Sequence, residues 1–133
     1  PLPYKELIFP DVLKVLNEVK SRGLKIGLAS SSVKADILRA LKENHLDGFF
    51  DVVLSGEEFK ESKPNPEIYL TALNQLGVKP NQALIIEDSE KGIAAGVAAG
   101  VEVWAIKDNR FGMDQGAAKG LLDNLIDVLD LLE

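Results

Sequence analysis

The sequence predicts an α/β fold, a doubly wound parallel sheet with helices on both faces. Short apolar runs that suit buried strands alternate with longer segments in which apolar residues recur at helical spacing. This alternation is typical of parallel strands joined by right-handed helical crossovers. The 133 residues contain no repeat, low-complexity tract or linker-like stretch, so we expect one domain over residues 1–133.

The predicted strands are short apolar runs at residues 24–29, 51–54, 83–86 and 101–106. Each of the first three runs leads through a polar loop into a helix. The second helix of the chain is predicted from the apolar residues Val33, Ile37, Leu38 and Leu41. The third is predicted at residues 66–76, and the fourth, rich in Gly and Ala, at about residues 90–99. Small residues in that fourth helix favour close packing of the helix on the sheet.

The first and last helices are also predicted from an apolar face. The first begins near Asp11 and ends at Gly23, because glycine is the residue that most readily terminates a helix. Its apolar face consists of Val12, Leu13, Leu16 and Val19. A surface loop is expected at residues 111–119, before a closing helix. The apolar face of that closing helix consists of Leu121, Leu125, Leu129 and Leu132.

Composition disfavours several classes of function. Fifteen Lys and Arg against 21 Asp and Glu give a net charge of −6, which repels nucleic acid and anionic membrane surfaces. No apolar run approaches the roughly 20 residues that a membrane-spanning helix needs. Because the chain has no cysteine, it forms neither a disulfide framework nor a thiolate zinc site. A reducing, cytoplasmic location is the simplest expectation.

Polar residues follow three of the predicted strands. The run Ser30-Ser31-Ser32 follows the first strand, Lys63 lies in the loop after the second, and the pair Glu87-Asp88 ends the third. Ligands of open parallel sheets bind beyond the carboxyl ends of the strands, where such loops meet. We therefore expect these residues to form one site.

The combination of hydroxyls, an ammonium and two carboxylates suits a phosphate group with a divalent metal. Glu87 and Asp88 offer hard oxygen ligands for Mg²⁺, directly or through water. Lys63 places a positive charge on a phosphate oxygen, and Ser30 donates a hydrogen bond at a helix start. The sequence therefore predicts phosphoryl transfer, in which the equatorial phosphate oxygens must be neutralised.

Each of these residues also has a purely structural interpretation. Ser31 or Ser32 is explained equally well as a helix cap. Lys63, taken alone, is better explained as a solvated surface lysine. The acids Glu87-Asp88 with Ser89 could be a cap with favourable charges at a helix N-terminus. The joint placement of all these residues on three loops favours the functional interpretation. His45 is a lone histidine near a helix end, and we expect it to have no catalytic role.

The segments Leu28–Ser32, Ser62–Tyr69 and Ile85–Ile93 occur in this order along the chain. They resemble the second, third and fourth motifs of the haloacid dehalogenase superfamily, in particular of its β-phosphoglucomutase-like phosphatases. The resemblance covers nearly the whole chain. It implies a Rossmann-like core in which Ser30 and Lys63 are catalytic residues that bind the transferring phosphoryl group.

The resemblance also implies roles for the neighbouring residues. Ser31 and Ser32 belong to the phosphate- and substrate-binding loop, and Ser32 falls where relatives contact the remote phosphate of the substrate. The pair Glu87-Asp88 serves Mg²⁺. Val33 stands where a sugar-phosphate mutase is expected to carry a lysine, although Lys34 is adjacent.

Members of this superfamily also carry a first motif, Asp-x-Asp-x-Thr, whose first Asp is the nucleophile. The nearest segment here, Leu7–Val12, lacks it, and Asp11 is better explained as part of a helix start. The resemblance implies that the central strand, between the strands that end at Ala29 and Ile86, and the cap domain are absent from this chain. Residues 1–9 resemble the tail of that cap. We therefore expect a C-terminal part of a larger enzyme, inactive by itself.

The leading hypothesis is a Mg²⁺-dependent phosphatase that acts through an aspartyl-phosphate on a small phosphorylated metabolite, with a sugar phosphate favoured. A phosphomutase and a catalytically incomplete binding or regulatory module are the alternatives. A receiver domain also combines acids, a hydroxyl and a lysine, but there the acids come first and the lysine last. The expected partners are the metabolite and the missing N-terminal segment or cap, with no nucleic acid and no membrane.

Overall fold

A computed structural model describes residues 11–132, which form parallel strands flanked by helices. The helices are α1 (Val12–Ser21), α2 (Lys34–Glu43), α3 (Glu67–Leu76) and α4 (Glu90–Ala98). The strands are β1 (Gly27–Ser30), β2 (Val52–Ser55), β3 (Leu84–Glu87), β4 (Glu102–Ile106) and β5 (Gly120–Leu122). Short 3₁₀ helices cover Gly56–Glu58, Pro80–Gln82 and Leu125–Asp130. The predicted α/β class is confirmed.

All strand pairs are parallel, and they form two sheets. In one sheet β1 pairs with β2, with Ala29 opposite Leu54. In the other, β3, β4 and β5 lie in this order, with Glu87 opposite Ala105. Within residues 11–132, β1 and β3 each pair on one side only.

Alternating residues of the strands face two apolar layers, as the period of two along a strand requires. Ile85 of β3 packs into the cluster beneath α3 and α4, together with residues of β2 and β4. Its neighbours Leu84 and Ile86 pack into the opposite cluster, which includes Val15 of α1. Helices therefore cover both faces, and the predicted doubly wound arrangement is confirmed.

Helix α1 contacts the elements of both sheets through neighbouring residues. Val15 packs in the cluster that contains Ile106 and Leu122, whereas Leu16 packs with Ile37 and Leu41 of α2. The true apolar face of α1 is therefore built on Val15 and Leu16. The prediction that included Leu13 is wrong at this residue, because Leu13 lies on the solvent side and is 45% exposed. In α2 the predicted face is partly wrong too, since Leu38 is exposed.

The predicted closing helix is wrong. Gly120–Leu122 instead forms strand β5, which pairs with β4. Leu122 is buried and Leu121 is half exposed, and this alternation is typical of a strand. A Cβ on Gly120 would lie 2.4 Å from the ring of Trp104, so only glycine lets the strand pass this close. The edge of β4 offers backbone hydrogen-bond partners to this segment, so it forms a strand. The helical spacing of the leucines does not show that such an edge is nearby. Only Leu125–Asp130 is helical, as a 3₁₀ helix.

Some expectations lie outside what this structure tests. Residues 1–9, which resemble the tail of a cap, precede the described range. The expectations of one domain over residues 1–133 and of a missing central strand stay predictions. Across residues 11–132, the helices are all too short or too polar to cross a membrane.

Close contact between α4 and the sheet explains the small residues of that helix. A Cβ on Gly96 would lie 2.6 Å from Val103 Cγ2 and 3.1 Å from Ile85 Cδ1. Both partners are buried, so neither can move away without disturbing the core.

The Gly96→Ala variant should therefore be less stable than the parent. Overpacking should outweigh the better helix propensity of alanine and lower the free energy of unfolding by about 1–2 kcal/mol. Urea unfolding followed by circular dichroism measures this. Val97→Ala, at the exposed neighbouring position, is the control and should change it by less than about 0.5 kcal/mol. A more stable Gly96→Ala protein would contradict the packing argument.

Candidate active site

The loop after β2 reaches the ends of β1 and β3 through the ammonium group of Lys63. Its Nζ donates a hydrogen bond to the backbone carbonyl of Ala29 in β1, at 3.2 Å, and to Glu87 Oε2 at the end of β3, at 2.6 Å. The side chains of Lys63 and Glu87 are each only 9% exposed. The interpretation of Lys63 as a solvated surface lysine is therefore wrong.

The loop before α3 places Lys63 in this position. The Lys63–Pro64 peptide bond is cis, and Pro66 occupies the N-cap position of α3. Asn65 Oδ1 accepts the backbone N–H of Glu67 at 2.9 Å and so satisfies one of the unpaired donors of the helix start. Because α3 is anchored by buried Ile68 and Leu73, the loop in front of it has a defined direction.

The carboxylate of Glu87 is held on several sides. The Tyr69 hydroxyl donates a hydrogen bond to Glu87 Oε2, and the Lys63 ammonium lies 5.0 Å from the centre of the Tyr69 ring. Burial, and then the nearby charge of Glu87, raise the pKa of Tyr69 far above its usual range, so the phenol stays a donor. A Cβ on Gly92 would lie 2.2 Å from the Glu87 carboxyl group, so glycine is required beneath it.

Asp88 lies beside this pair; the residue as a whole is exposed, although neighbouring groups partly shield its carboxyl group from water. Burial, and then the charge of Glu87, raise the pKa of the Asp88 carboxyl group, while Lys63 acts in the opposite direction. The next residue, Ser89, is the N-cap of α4, and its Oγ accepts the backbone N–H of Gly92 at 3.0 Å. The cap interpretation therefore holds for Ser89, whereas Glu87 is the last strand residue and pairs with Lys63.

The serine loop, formed by Ser30, Ser31 and Ser32, does not cap α2. Val33 occupies the N-cap position of α2 without a side-chain hydrogen bond, so the interpretation of Ser31 or Ser32 as that cap is wrong. Glu57 Oε1 instead accepts the first helical N–H, from Lys34, at 2.7 Å. Ser31 and Ser32 are exposed, and Ser30 Oγ accepts the N–H of Ser32 at 3.1 Å.

Two further contacts determine the shape of the serine loop. The fully buried Ser55 donates through its Oγ to the carbonyl of Ser32 at 2.6 Å, so the end of β2 supports the loop. The ammonium of Lys34 donates to the carbonyl of Val53 at 2.6 Å and lies 3.5 Å from Glu58. Lys34 is therefore engaged with β2 and the following turn, and Val33 beside it is exposed.

The carboxylates of Glu87 and Asp88 fit a Mg²⁺ site of the type in which the substrate and water supply the remaining ligands. Mg²⁺ is commonly held by one or two carboxylates, with water and substrate phosphate oxygens completing six ligands. Glu87 and Asp88 supply two carboxylates, and residues 11–132 contain no group of three or more acidic, histidine or cysteine ligands. A cation here would also offset the charge of Glu87, which after burial is the next cause of the raised pKa of Asp88.

Sequence reasoning missed three residues that support these loops. Tyr69 lies in one of the motifs named above, where no role is assigned to it. Ser55 and Gln115 gave no signal because the loop carbonyls that they bind, those of Ser32 and Asp88, lie more than 20 residues away. A buried tyrosine needs a partner for its hydroxyl, and this was the available hint for Tyr69. His45 is exposed just after α2, with a positive φ of 58°.

Comparisons with known proteins identify the family to which this chain is similar. A family model described as haloacid dehalogenase-like hydrolase matches residues 5–106, more than half of the chain. A phosphorylated carbohydrates phosphatase of Thermotoga maritima is 36% identical over an alignment of 113 residues that covers 81% of this chain and 52% of that protein. The pyrophosphatase PpaX of Bacillus cereus is 30% identical over 128 residues, 93% of this chain and 59% of that protein.

Solved structures show the same fold. A crystal structure of a Thermotoga maritima protein described as a candidate β-phosphoglucomutase superposes with a TM-score of 0.84 and 32% sequence identity. The match covers 93% of this chain and 60% of that one. The chain thus spans between half and two thirds of the length of these relatives.

The raised pKa of Asp88 predicts a pH-dependent stability difference. A carboxyl group whose pKa is raised on folding costs stability when it ionises, so this cost is present above its folded pKa and absent below its unfolded value of about 3.9. Without divalent metal, Asp88→Asn should be more stable than the parent near pH 7. The gain should shrink as the pH falls through the folded pKa of Asp88.

Urea unfolding of both proteins between pH 3.5 and 7.5 with EDTA measures this difference. Asp123→Asn, at an exposed position, is the control for loss of one negative charge. A gain that is equal for both variants, or that grows towards low pH, would contradict the assignment to Asp88.

The Tyr69→Phe variant tests the support of Glu87. Phenylalanine keeps the packing but leaves a buried carboxylate with one donor fewer, which should lower the free energy of unfolding by about 1–3 kcal/mol. In a Glu87→Gln background the same substitution should cost less, because a neutral amide needs the phenol less. Equal costs in the two backgrounds, measured by urea unfolding, would mean that Tyr69 does not act through Glu87.

Proposed function

Because this chain belongs to the haloacid dehalogenase-like hydrolases, we propose that it forms the phosphate- and metal-binding part of a Mg²⁺-dependent phosphatase. The proposed substrate is a small phosphorylated metabolite, with a sugar phosphate favoured. The observation that carries the proposal is the buried ammonium of Lys63, bonded both to Ala29 of β1 and to Glu87 of β3.

Lys63 is the proposed ligand of the transferring phosphoryl group. An ammonium has three N–H groups, and its described partners Ala29 and Glu87 account for two of them. One N–H therefore remains for a phosphate oxygen. Ser30 and the exposed Ser31 and Ser32 would add hydroxyl and backbone donors from the neighbouring loop.

Glu87 and Asp88 are the proposed residues for Mg²⁺. When bound, the ion would neutralise charge on the phosphoryl oxygens of the substrate. The chain's own contribution is to hold the buried carboxylate of Glu87 through Lys63 and Tyr69, next to the exposed Asp88 in the sequence. The ordering of these groups before the substrate arrives reduces the reorganisation that the reaction requires.

The nucleophile is proposed to come from outside residues 11–132. Asp11 stands at the N-cap position of α1, and its carbonyl accepts the N–H of Val15 at 2.9 Å, so it belongs to a helix start as expected. In the proposed reaction an aspartate oxygen forms a bond to phosphorus while the bond between phosphorus and the leaving oxygen of the substrate breaks. The leaving oxygen then takes up a proton. Water then hydrolyses the aspartyl-phosphate.

The segment that carries this aspartate is proposed to lie between β1 and β3. Each of these strands pairs on one side only within residues 11–132, so each has an edge on which a further strand could pair. The carboxyl end of such a strand would face Lys63, which bonds to both neighbours.

A phosphatase is favoured over a phosphomutase by the residues that follow the serine loop. Val33 offers no charge for a second phosphate group, and the ammonium of Lys34 is engaged by Val53 and Glu58. The structural similarity to a candidate β-phosphoglucomutase keeps the mutase as the second candidate. We further propose a cytoplasmic location, which agrees with a chain free of cysteine.

The activity test requires an active enzyme that contains these residues. We propose joining the chain to a segment with the first motif and measuring phosphate release from sugar phosphates with Mg²⁺. Lys63→Ala and Asp88→Ala should each lower kcat/KM at least about 100-fold, because each removes charge stabilisation of the transferring group. EDTA should abolish activity, and added Mg²⁺ should restore it.

Lys60→Ala is the matched control, because Lys60 lies on the same loop and is exposed. It should keep activity within about twofold. Circular dichroism of each variant separates loss of activity from loss of fold, since Lys63→Ala leaves a buried carboxylate without its cation. Undiminished activity of folded Lys63→Ala or Asp88→Ala would refute the proposal. A binding or regulatory module predicts no phosphate release by any such protein.

A further inference from the structure

Gln115 joins the ends of two strands next to the candidate site. Its Nε2 donates to the carbonyl of Ile106 at 2.7 Å and to the carbonyl of Asp88 at 2.9 Å. Its Oε1 accepts the N–H of Asp108 at 3.0 Å. One side-chain amide thus binds Asp88, the residue after β3, as well as Ile106, the last residue of β4, and Asp108 in the loop that follows. Nothing in the proposed function uses Gln115.

The position of this amide matters because the β3–β4 ladder ends just before Asp88. Glu87 is the last residue of β3 and pairs with Ala105. Beyond this point the chain that leaves β4 bonds to β5 and not to the segment after β3, since the N–H of Lys107 donates to the carbonyl of Leu122 at 2.8 Å. The carbonyl of Asp88 therefore receives its described hydrogen bond from a side chain 27 residues further along the chain.

The loop that carries Gln115 is itself tightly organised. The carboxylate of Asp108 accepts backbone N–H groups of Arg110, Phe111 and Met113, at 2.8–3.3 Å. These hydrogen bonds lower the pKa of Asp108, so the carboxylate stays ionised as an acceptor. The expected surface loop at residues 111–119 thus begins from an ordered turn, which returns the chain towards the strand ends.

We propose that Gln115 is a positioning residue for the metal site: its amide fixes the backbone at Asp88 and thereby holds the Asp88 carboxylate beside Glu87. This inference rests on the proposed function, because it assigns to Gln115 an effect on Mg²⁺ affinity. Residues that orient metal ligands from behind typically contribute 10–100-fold to affinity. Gln115 acts through the backbone of the ligand, so the lower end of this range applies.

The test is an NMR titration of the whole 133-residue chain with MgCl₂, at ionic strength held constant with NaCl. Chemical shifts of backbone amides report both the dissociation constant and the residues that bind. Gln115→Met keeps the length of the side chain and removes the amide. It should weaken Mg²⁺ binding about tenfold and shift the amides of Asp88 and Ser89 before any metal is added.

Three further variants make the result specific. Asp88→Asn should abolish the Mg²⁺-dependent shifts. Gln75→Met, an exposed position on α3, should bind as the parent does. Gln115→Asn keeps the amide on a side chain one methylene shorter, too short to reach both carbonyls, and should also weaken binding. It replaces Gln115→Met if circular dichroism finds that variant unfolded.

The outcomes separate this inference from the proposed function. Parent-like Mg²⁺ affinity in folded Gln115 variants, even with a lowered Tm, would overturn the inference and leave Gln115 as a structural link between strands. No Mg²⁺ binding by the parent, or binding that survives Asp88→Asn, would overturn the metal assignment of the proposed function and the inference with it. Weaker binding in the Gln115 variants but not in Gln75→Met supports the inference.

Discussion

The buried ion pair between Lys63 and Glu87 is the constraint on which the candidate site depends. Each side chain is 9% exposed, so each charge has given up most of its water and needs the other. Removal of one partner from such a pair typically costs about 3–5 kcal/mol, because an uncompensated charge stays buried. The pair therefore fixes the loop before α3 against the end of β3, and the bond from Lys63 to Ala29 adds β1.

The loops around this pair share a physical problem. At the carboxyl end of a strand the ladder stops, and the last backbone groups lose their regular partners. Side chains from distant parts of the chain supply these partners here: Ser55 for the carbonyl of Ser32, and Gln115 for that of Asp88. These contacts hold the backbone at Ser32 and at Asp88 in place where no regular sheet pairing does so.

Membership of the haloacid dehalogenase-like hydrolases gives this arrangement its context. The chain spans between half and two thirds of the relatives it matches. The residues proposed for phosphate and metal come from the last positions of β1 and β3 and from the loops after β1, β2 and β3. The edges of β1 and β3 between these loops are the proposed place for the nucleophile. Binding groups and the bond-forming aspartate would then come from different stretches of the polypeptide, brought together by one parallel sheet.

The sequence by itself determined the class of fold and which loops could meet, because apolar period and the order of strands decide which ends of a parallel sheet carry the polar loops. It misplaced Leu13, and it predicted a helix where Gly120–Leu122 is a strand, since a free sheet edge overrides local spacing. Only the tertiary structure decided that Lys63 is buried against Glu87 and that Gln115 reaches Asp88. Such contacts depend on distances between residues far apart in the chain, on which local pattern carries no information.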